Sequence, residues 1–283
     1  MKKIFSLIMF LLFLQILSAQ DDADKFGVVE KSTHLTYSSN YNSRLNFEGR
    51  DVIVSQYAIN NTLTFHTKEG LHASFAADYW SQFSPRGISQ NTLGVGYEFA
   101  ANKWLTGSFD YEHWFINHPN DTLRNALTNY LTTEWQADFD FIAPHASAAY
   151  IFGTEKAYNI EFGVKGLIEF DDIFREDQSD KISFAPDITL MTGTDIQFTT
   201  INTVVKTKRK TTTSSKTSSN DVYGLLNTEL TLPVTYARPR WSVTAEYHYA
   251  VPHSLGVSDI VSSPFSYVVI GFNWHILTIK NEK

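Results

Sequence analysis

Carboxylates recur in the middle of segments that alternate between apolar and polar residues. Asp110, for example, lies between Phe109 and Tyr111, and Glu112 and Glu134 each have one large aromatic neighbour. Alternate side chains of an extended chain point to opposite faces, so the acids are predicted to share one face. That face would attract cations or a basic or polyhydroxylated ligand, or it would fill a polar interior through hydrogen bonds. The inward-facing candidates are Asp78, Glu98, Asp110, Glu112, Glu134, Asp138, Asp140, Glu161, Lys165, Glu229 and Glu246, and Glu169 and Asp187 follow the same pattern.

His145 and Ser147 form the pair best suited to nucleophilic catalysis. Residues two apart share a face of a strand, so the imidazole could activate the hydroxyl. The sequence assigns no Asn or Asp to orient the histidine, and Pro144 indicates a bulge or a strand end. A histidine near the end of a strand explains the same residues, and we predict no catalytic residue.

No group of residues has the spacing of a metal site. Glu112 and His113 point to opposite faces of a strand, and His118 follows five residues later. His248 and His253 lie on either side of a strand end. The sequence therefore predicts neither a bound metal nor another cofactor.

The elements that must hold these residues are strands. Alternation of period two dominates the chain after residue 30, and no stretch shows a convincing helical period. Five short turns are predicted, at residues 67–70, 100–103, 153–156, 191–194 and 237–240. Six longer links are predicted, at residues 42–51, 83–90, 117–129, 172–180, 206–220 and 252–263. Short and long connections that alternate in this way predict about twelve antiparallel strands in up-and-down order, with all short turns at one end.

A closed transmembrane barrel explains this pattern better than a soluble β-sandwich. Several segments reach ten residues, long enough to cross a bilayer when tilted. The apolar face would contact lipid, the acids would face a wet interior, and closure would leave no unpaired edge. Tryptophan and tyrosine near the strand ends, such as Trp80, Trp104, Trp114 and Trp274, are typical of the aromatic belts at membrane interfaces.

Composition and the first residues indicate an exported protein. The chain has 283 residues, a net charge of -7 and no cysteine, which excludes disulfides and thiol catalysis. Its acidity argues against nucleic-acid binding. Residues 1–20 combine Lys2 and Lys3, an apolar run and small residues, as in a cleaved signal peptide. Residues 21–283 are then predicted to form a single barrel domain.

A Ser/Thr-rich segment follows the basic run Lys206 to Lys210. Its composition predicts a solvated surface loop. Lys208, Arg209 and Lys210 could contact lipopolysaccharide phosphates there.

Taken together, residues 26–277 resemble outer-membrane β-barrel proteins of Gram-negative bacteria, and Ser18-Ala19-Gln20 followed by acids resembles signals of Bacteroidota. The resemblance implies an outer-membrane location with both termini periplasmic, contact with outer-membrane lipid, and insertion by the barrel assembly machinery. The favoured function is a narrow channel or small-ligand-binding barrel without catalysis. One alternative is a lipid hydrolase, because His145 and Ser147 resemble the pair of outer-membrane phospholipase A. Another is a structural anchor for envelope proteins.

Overall fold

The computed structural model describes residues 32–279, apart from 45, 48–49, 52–55, 82–86, 118–124, 172, 175–179, 208–209, 254 and 256–262. Nearly all of this part is β-strand, in agreement with the period-two alternation. The predicted signal peptide at residues 1–20 lies outside the described residues.

Twelve strands form the wall of the molecule, and we number them in chain order. They are β1 Thr33–Asn42, β2 Ala58–His66, β3 Leu71–Trp80, β4 Ile88–Asn102, β5 Leu105–Ile116, β6 Leu127–Ala137, β7 Ile142–Gly153, β8 Lys156–Gly166, β9 Asp187–Thr207, β10 Lys210–Arg238, β11 Trp241–Pro252 and β12 Phe265–Ile279. Ile168–Asp171 continues β8 after a break at Leu167, and Lys181–Phe184 leads into β9. A small separate hairpin pairs Asn46–Phe47 with Arg50–Asp51.

The sheet closes on itself. Each strand pairs antiparallel with its neighbours in sequence, and β12 pairs with both β11 and β1. The predicted twelve-stranded up-and-down barrel is therefore confirmed. Closure pairs the backbone of every barrel strand on both sides, which satisfies polar groups that lipid cannot.

The strand count is correct although two predicted boundaries are wrong, because the errors cancel. One continuous strand was expected across residues 130–152, but a tight turn at residues 138–141 separates β6 from β7. Asp140 has a φ of 65° there, and its backbone N–H donates to Asp138 Oδ1 at 3.0 Å. Asp138 and Asp140 thus lie in a turn at the barrel rim, which corrects their prediction as lining residues.

The compensating error lies in β9. A turn was predicted at residues 191–194, but these residues continue the strand and pair with Asn227, Leu225, Gly224 and Tyr223 of β10. The loop predicted at 206–220 is also wrong for most of its length, because β9 and β10 extend as one long hairpin, with Thr207 opposite Lys210. Lys208 and Arg209 lie outside the described residues.

The two ends of the barrel differ. Thr33 and Ile279 are paired at one end, which we call the terminal end, and the opposite end is the loop end. Strand order places the turn between β7 and β8 at the loop end and the link at 172–180 at the terminal end. The expectation that short turns lie at one end and longer links at the other is therefore wrong at these two connections.

The outer face is apolar. Alternate residues of β3 expose Leu71 and Phe75, and β4 exposes Leu93 and Val95 in the same way. From Leu71 to Tyr79, eight steps of about 3.3 Å along a strand tilted by about 40° cover about 20 Å, most of the apolar band of about 25 Å that outer-membrane barrels present to lipid. No helix in the described residues is long and apolar enough to cross a membrane.

Aromatic rings flank the apolar surface at both ends. Tyr57 lies 5.7 Å from Tyr41 and 6.2 Å from Tyr79 at the loop end, as ring centroids. Trp104 stacks on Phe139 at the terminal end. Trp80 and Trp114, expected in these belts, instead follow the inward rows. Trp80 is buried, and Trp114 stacks on Tyr130.

Candidate functional site: a charged belt inside the barrel

Every strand contributes an ionisable side chain to the inner face, in its middle or toward the terminal end. The strand registers place these residues on the inward rows, opposite in orientation to the exposed apolar rows. We call this set the charged belt. It consists of His34, His66, His72, Glu98, Asp110, Glu134, His145, Glu161, Lys165, Asp187, Glu229, Glu246, His248 and His275.

The belt is strongly acidic. Among the inward residues whose side chains the structure describes, Lys165 is the single lysine or arginine on the barrel strands, whereas each strand from β4 to β6 and from β8 to β11 supplies a carboxylate. Burying several like charges is costly unless hydrogen bonds or counter-ions compensate. Three histidines provide part of that compensation.

The first histidine is His72 on β3. Its Nε2 donates to Asp110 Oδ1 of β5 at 2.8 Å, across the intervening strand β4. Gly96 of β4 makes this reach possible, because a Cβ there would overlap both partners. Ser108 Oγ donates to the other carboxylate oxygen of Asp110 at 2.7 Å.

The second histidine repeats this arrangement four strands further along the wall. His145 of β7 contacts Asp187 of β9 with Nε2 3.0 Å from Oδ1, across Gly163 of β8. A side chain at residue 163 would again overlap the imidazole. Both pairs therefore need glycine on the strand between them.

The third histidine lies between two acids. His248 places Nδ1 2.7 Å from Glu229 Oε1 and Nε2 2.9 Å from Glu246 Oε2. Carboxylates only accept, so both ring nitrogens donate, as in an imidazolium. Tyr267 stacks on the ring and donates its hydroxyl to Glu229 Oε1 at 2.7 Å.

A cavity of about 420 Å³ opens beside the second pair. Its ionisable lining residues come from five strands, β4 and β6 to β9. Ser147 lies opposite Glu134 of β6 and opposite Glu161 of β8, so two carboxylates flank the hydroxyl. The polar and charged lining residues are Glu98, Thr106, Ser108, Glu134, Gln136, His145, Ser147, Glu161, Lys165 and Asp187. A cation bound in this cavity can compensate part of the excess negative charge of the belt.

The inner face toward the loop end is different in character. Leu127, Ile151 and Ala157 form a buried apolar cluster on one wall, and Phe265 packs with Ala250 and Tyr267 on another. Apolar clusters thus occupy parts of the inner face toward the loop end, while the charged belt lies nearer the terminal end.

The structure places most of the predicted lining residues on the inner face. Asp78 accepts from Asn60, and Glu112 accepts from Trp114 Nε1 at 3.0 Å, both nearer the loop end than the belt. Glu98, Asp110, Glu134, Glu161, Lys165, Glu229 and Glu246 belong to the belt. Glu169 lies beyond β8 and contacts Lys181 at 3.1 Å, outside the belt.

Sequence reasoning did not find the histidine partners. His72 and Asp110 are separated by one strand, as are His145 and Asp187, so neither pairing has a sequence signature. The glycines gave an indirect signal, because Gly96 and Gly163 occupy inward positions where a strand would normally carry a side chain.

His145 and Ser147 share the inner face, as predicted, and Asp187 supplies the orienting carboxylate that the sequence did not assign. Their surroundings do not favour hydrolysis. A lumen-facing serine is separated from bilayer lipid by the barrel wall. Glu134 and Glu161 flank it, and carboxylates there would oppose the oxyanion that develops during acyl transfer.

No protein-family model matches the sequence, and no curated protein matches it. Solved structures resemble the fold. An outer-membrane channel from Pseudomonas putida F1 is 10% identical, with 90% of this chain and 99% of that chain covered and a TM-score of 0.50. The KdgM porin, in complex with disordered oligogalacturonate, is 7% identical over 86% of this chain and 99% of that chain, with a TM-score of 0.49. LpxR from Salmonella typhimurium is 9% identical over 86% of this chain and 100% of that chain, with a TM-score of 0.45. The chain therefore has the fold of an outer-membrane β-barrel.

Proposed function

We propose that this protein is a narrow outer-membrane channel whose charged belt favours small cationic solutes. The observation that carries the proposal is the charge of the belt: among the inward side chains that the structure describes, carboxylates on seven of the twelve strands face one lysine inside a closed barrel. Rings of carboxylate select for cations in narrow pores. A twelve-stranded barrel lies between filled eight-stranded barrels and the open sixteen-stranded porins.

The cavity is the part of the belt best suited to hold a solute. Glu134 and Glu161 lie on either side of Ser147, and Lys165 provides the nearby positive charge. An ammonium or guanidinium group of a solute can donate hydrogen bonds to both carboxylates. The hydroxyl groups of Ser108 and Ser147 offer further hydrogen-bond partners. Small cationic solutes are therefore favoured over anions.

We place the barrel in the outer membrane with both termini periplasmic. The exposed apolar rows and flanking rings support contact with lipid. The long hairpin of β9 and β10 emerges at the loop end, as expected for the outer surface. Insertion by the barrel assembly machinery, contact with lipopolysaccharide and an anchoring role stay predictions.

Ion selectivity in a planar bilayer tests the channel. Purified protein in a potassium chloride gradient should conduct and show a reversal potential of the sign given by cation preference. The double variant Glu134→Gln/Glu161→Gln should shift that potential toward zero, because it removes two carboxylates from the cavity.

The matched control is Glu69→Gln, which removes an exposed carboxylate from the turn between β2 and β3. Its selectivity should equal that of the unmodified protein. Absence of conductance, or an anion preference in the unmodified protein, would contradict the proposal.

A further inference from the structure

We propose that the terminal end of the lumen holds a divalent transition-metal site formed by His66, His72 and Glu98. One ligand atom from each of these three side chains lies within 4.8 Å of the others. Among the described residues, this is the one group of three potential ligands that meets that criterion. The site does not depend on conduction, because a closed barrel could bind the ion equally well.

The strand register brings the ligands together. His66 of β2 lies directly opposite His72 of β3, with ring centroids 5.3 Å apart. Glu98 of β4 places Oε1 4.0 Å from His72 Nδ1. Two donors of a tetrahedral zinc ion with bonds of about 2.0–2.1 Å lie about 3.3 Å apart, so a small side-chain movement completes the geometry.

His72 is prepared as a ligand by its second nitrogen. Nε2 donates to Asp110, which leaves the lone pair on Nδ1 directed toward Glu98. Nδ1 is buried and has no hydrogen-bond partner. A carboxylate that holds the far nitrogen of a ligating histidine is the usual support of a zinc site. A metal ion would satisfy this nitrogen.

Two further histidines surround the group. His34 stacks on His66 at 4.6 Å and is held through Nδ1, 2.8 Å from the carbonyl of Ser32. The ring of His275 lies 5.7 Å from that of His34. Two imidazoles and a carboxylate suit Zn²⁺, Co²⁺ or Ni²⁺, whereas Mg²⁺ prefers oxygen ligands in an octahedron. Three protein ligands leave one position for water or a solute.

Calorimetric titration with zinc chloride tests the site. The full-length mature barrel, without an affinity tag and treated with chelator, should bind one Zn²⁺ in detergent and show no such binding of Mg²⁺. His66→Gln and His72→Gln should each abolish this binding. Asp110→Asn keeps the three ligands but weakens the hydrogen bond that orients His72. It should reduce the affinity for Zn²⁺ by about 10- to 100-fold.

His253→Gln is the control, because His253 lies at the loop end, outside the charged belt, and does not belong to this group of ligands. It should bind Zn²⁺ like the unmodified protein. Heat-dependent gel mobility identifies the variants that fold. If a histidine ligand variant does not fold, Glu98→Gln takes its place, and it should also lose affinity for Zn²⁺. Failure of the unmodified protein to bind one Zn²⁺, unchanged binding by the ligand variants, or loss of binding in His253→Gln would overturn the proposal.

Discussion

Single glycines decide whether the lumen can hold its ion pairs. Gly96 and Gly163 are both inward residues, and both lie beneath an imidazole that reaches a carboxylate two strands away. A strand normally loses stability with glycine, by about 0.5–1 kcal/mol relative to alanine. At these positions the missing Cβ permits a charge-assisted hydrogen bond that contributes more than glycine costs.

Gly163→Ala is therefore expected to destabilise the barrel, although alanine suits a strand better. The new Cβ would overlap His145 Nε2 and approach Thr189 Cγ2 at 2.8 Å. Displacement of His145 from Asp187 should lower the free energy of unfolding by about 2 kcal/mol. Urea unfolding in detergent measures the change.

Gly166→Ala, on the same strand, is the comparison. Its Cβ would meet Pro186 Cγ at 3.4 Å, an ordinary contact, so its stability should not fall. Equal destabilisation of the two variants would mean that glycine matters through the backbone of β8 and not through the histidine pair.

At the scale of the element, the alternation predicted the faces of strands better than their ends. Phe139 and Phe141 continue the odd-numbered apolar row of Trp135, so periodicity extended the strand through a turn. Asp138 forms that turn by accepting from the backbone of Asp140, without glycine or proline. The sequence pattern assigned Gly193 to a turn, yet this residue lies within β9. Glycine occurs there because a Cβ would overlap Asn159 Oδ1 of β8.

The outer face allows a direct test of lipid contact. Phe75 lies in the middle of β3 and is 48% exposed. Phe75→Arg should lower the free energy of unfolding in liposomes by about 2–4 kcal/mol, because arginine is costly near the bilayer midplane. The measurement is urea-dependent unfolding followed by tryptophan fluorescence.

Phe141→Arg provides the depth control. Phe141 is 68% exposed but lies in the turn at the rim, where the cost should be about 0–1 kcal/mol. If arginine were tolerated equally at both positions, the outer face of β3 would not be in contact with hydrocarbon.

The part of the β9–β10 hairpin that extends beyond Asp195 is expected to be dispensable for the stability of the barrel. β8 pairs with β9 only as far as Gly193, and β11 pairs with β10 only from Asn227. Within the segment of residues 196–221, residues 196–207 pair with residues 210–221. Replacing them by Asn-Gly, flanked by Asp195 and Val222, should change the free energy of unfolding by less than about 1 kcal/mol.

A deeper truncation shows where the barrel wall begins. Replacing residues 190–228 by Asn-Gly removes four of the seven residue pairs between β8 and β9 and two of the twelve between β10 and β11, and heat-dependent gel mobility should then be lost. A folded product from this deeper truncation would contradict the observed strand order.

For the molecule as a whole, the sequence predicted an acidic interior but not its organisation. The face of a strand on which a residue lies depends on its neighbours in the sequence, so Glu134 and Glu161 could be assigned to the inner face from the sequence alone. The ligand set of His66, His72 and Glu98 is not local, since it depends on the register of three strands. The two ends could not be assigned from loop length either, because the link at 172–180 and the turn after β7 depart from the pattern.

Closure by β1 and β12 is the feature on which an isolated lumen depends, and cysteine chemistry can test it. The chain has no cysteine, so a pair introduced at Tyr41 and Ile270 reports on one contact. These residues are opposite each other, and Cα atoms of such a pair lie about 4.5–5.5 Å apart, within disulfide range. Oxidised Tyr41→Cys/Ile270→Cys protein should migrate faster than its reduced form on a denaturing gel. The pair Tyr41→Cys/Trp274→Cys is displaced by about 13 Å along β12 and should not oxidise. Equal cross-linking of the two pairs would mean that β1 and β12 slide past each other, and the lumen would then lack a sealed wall.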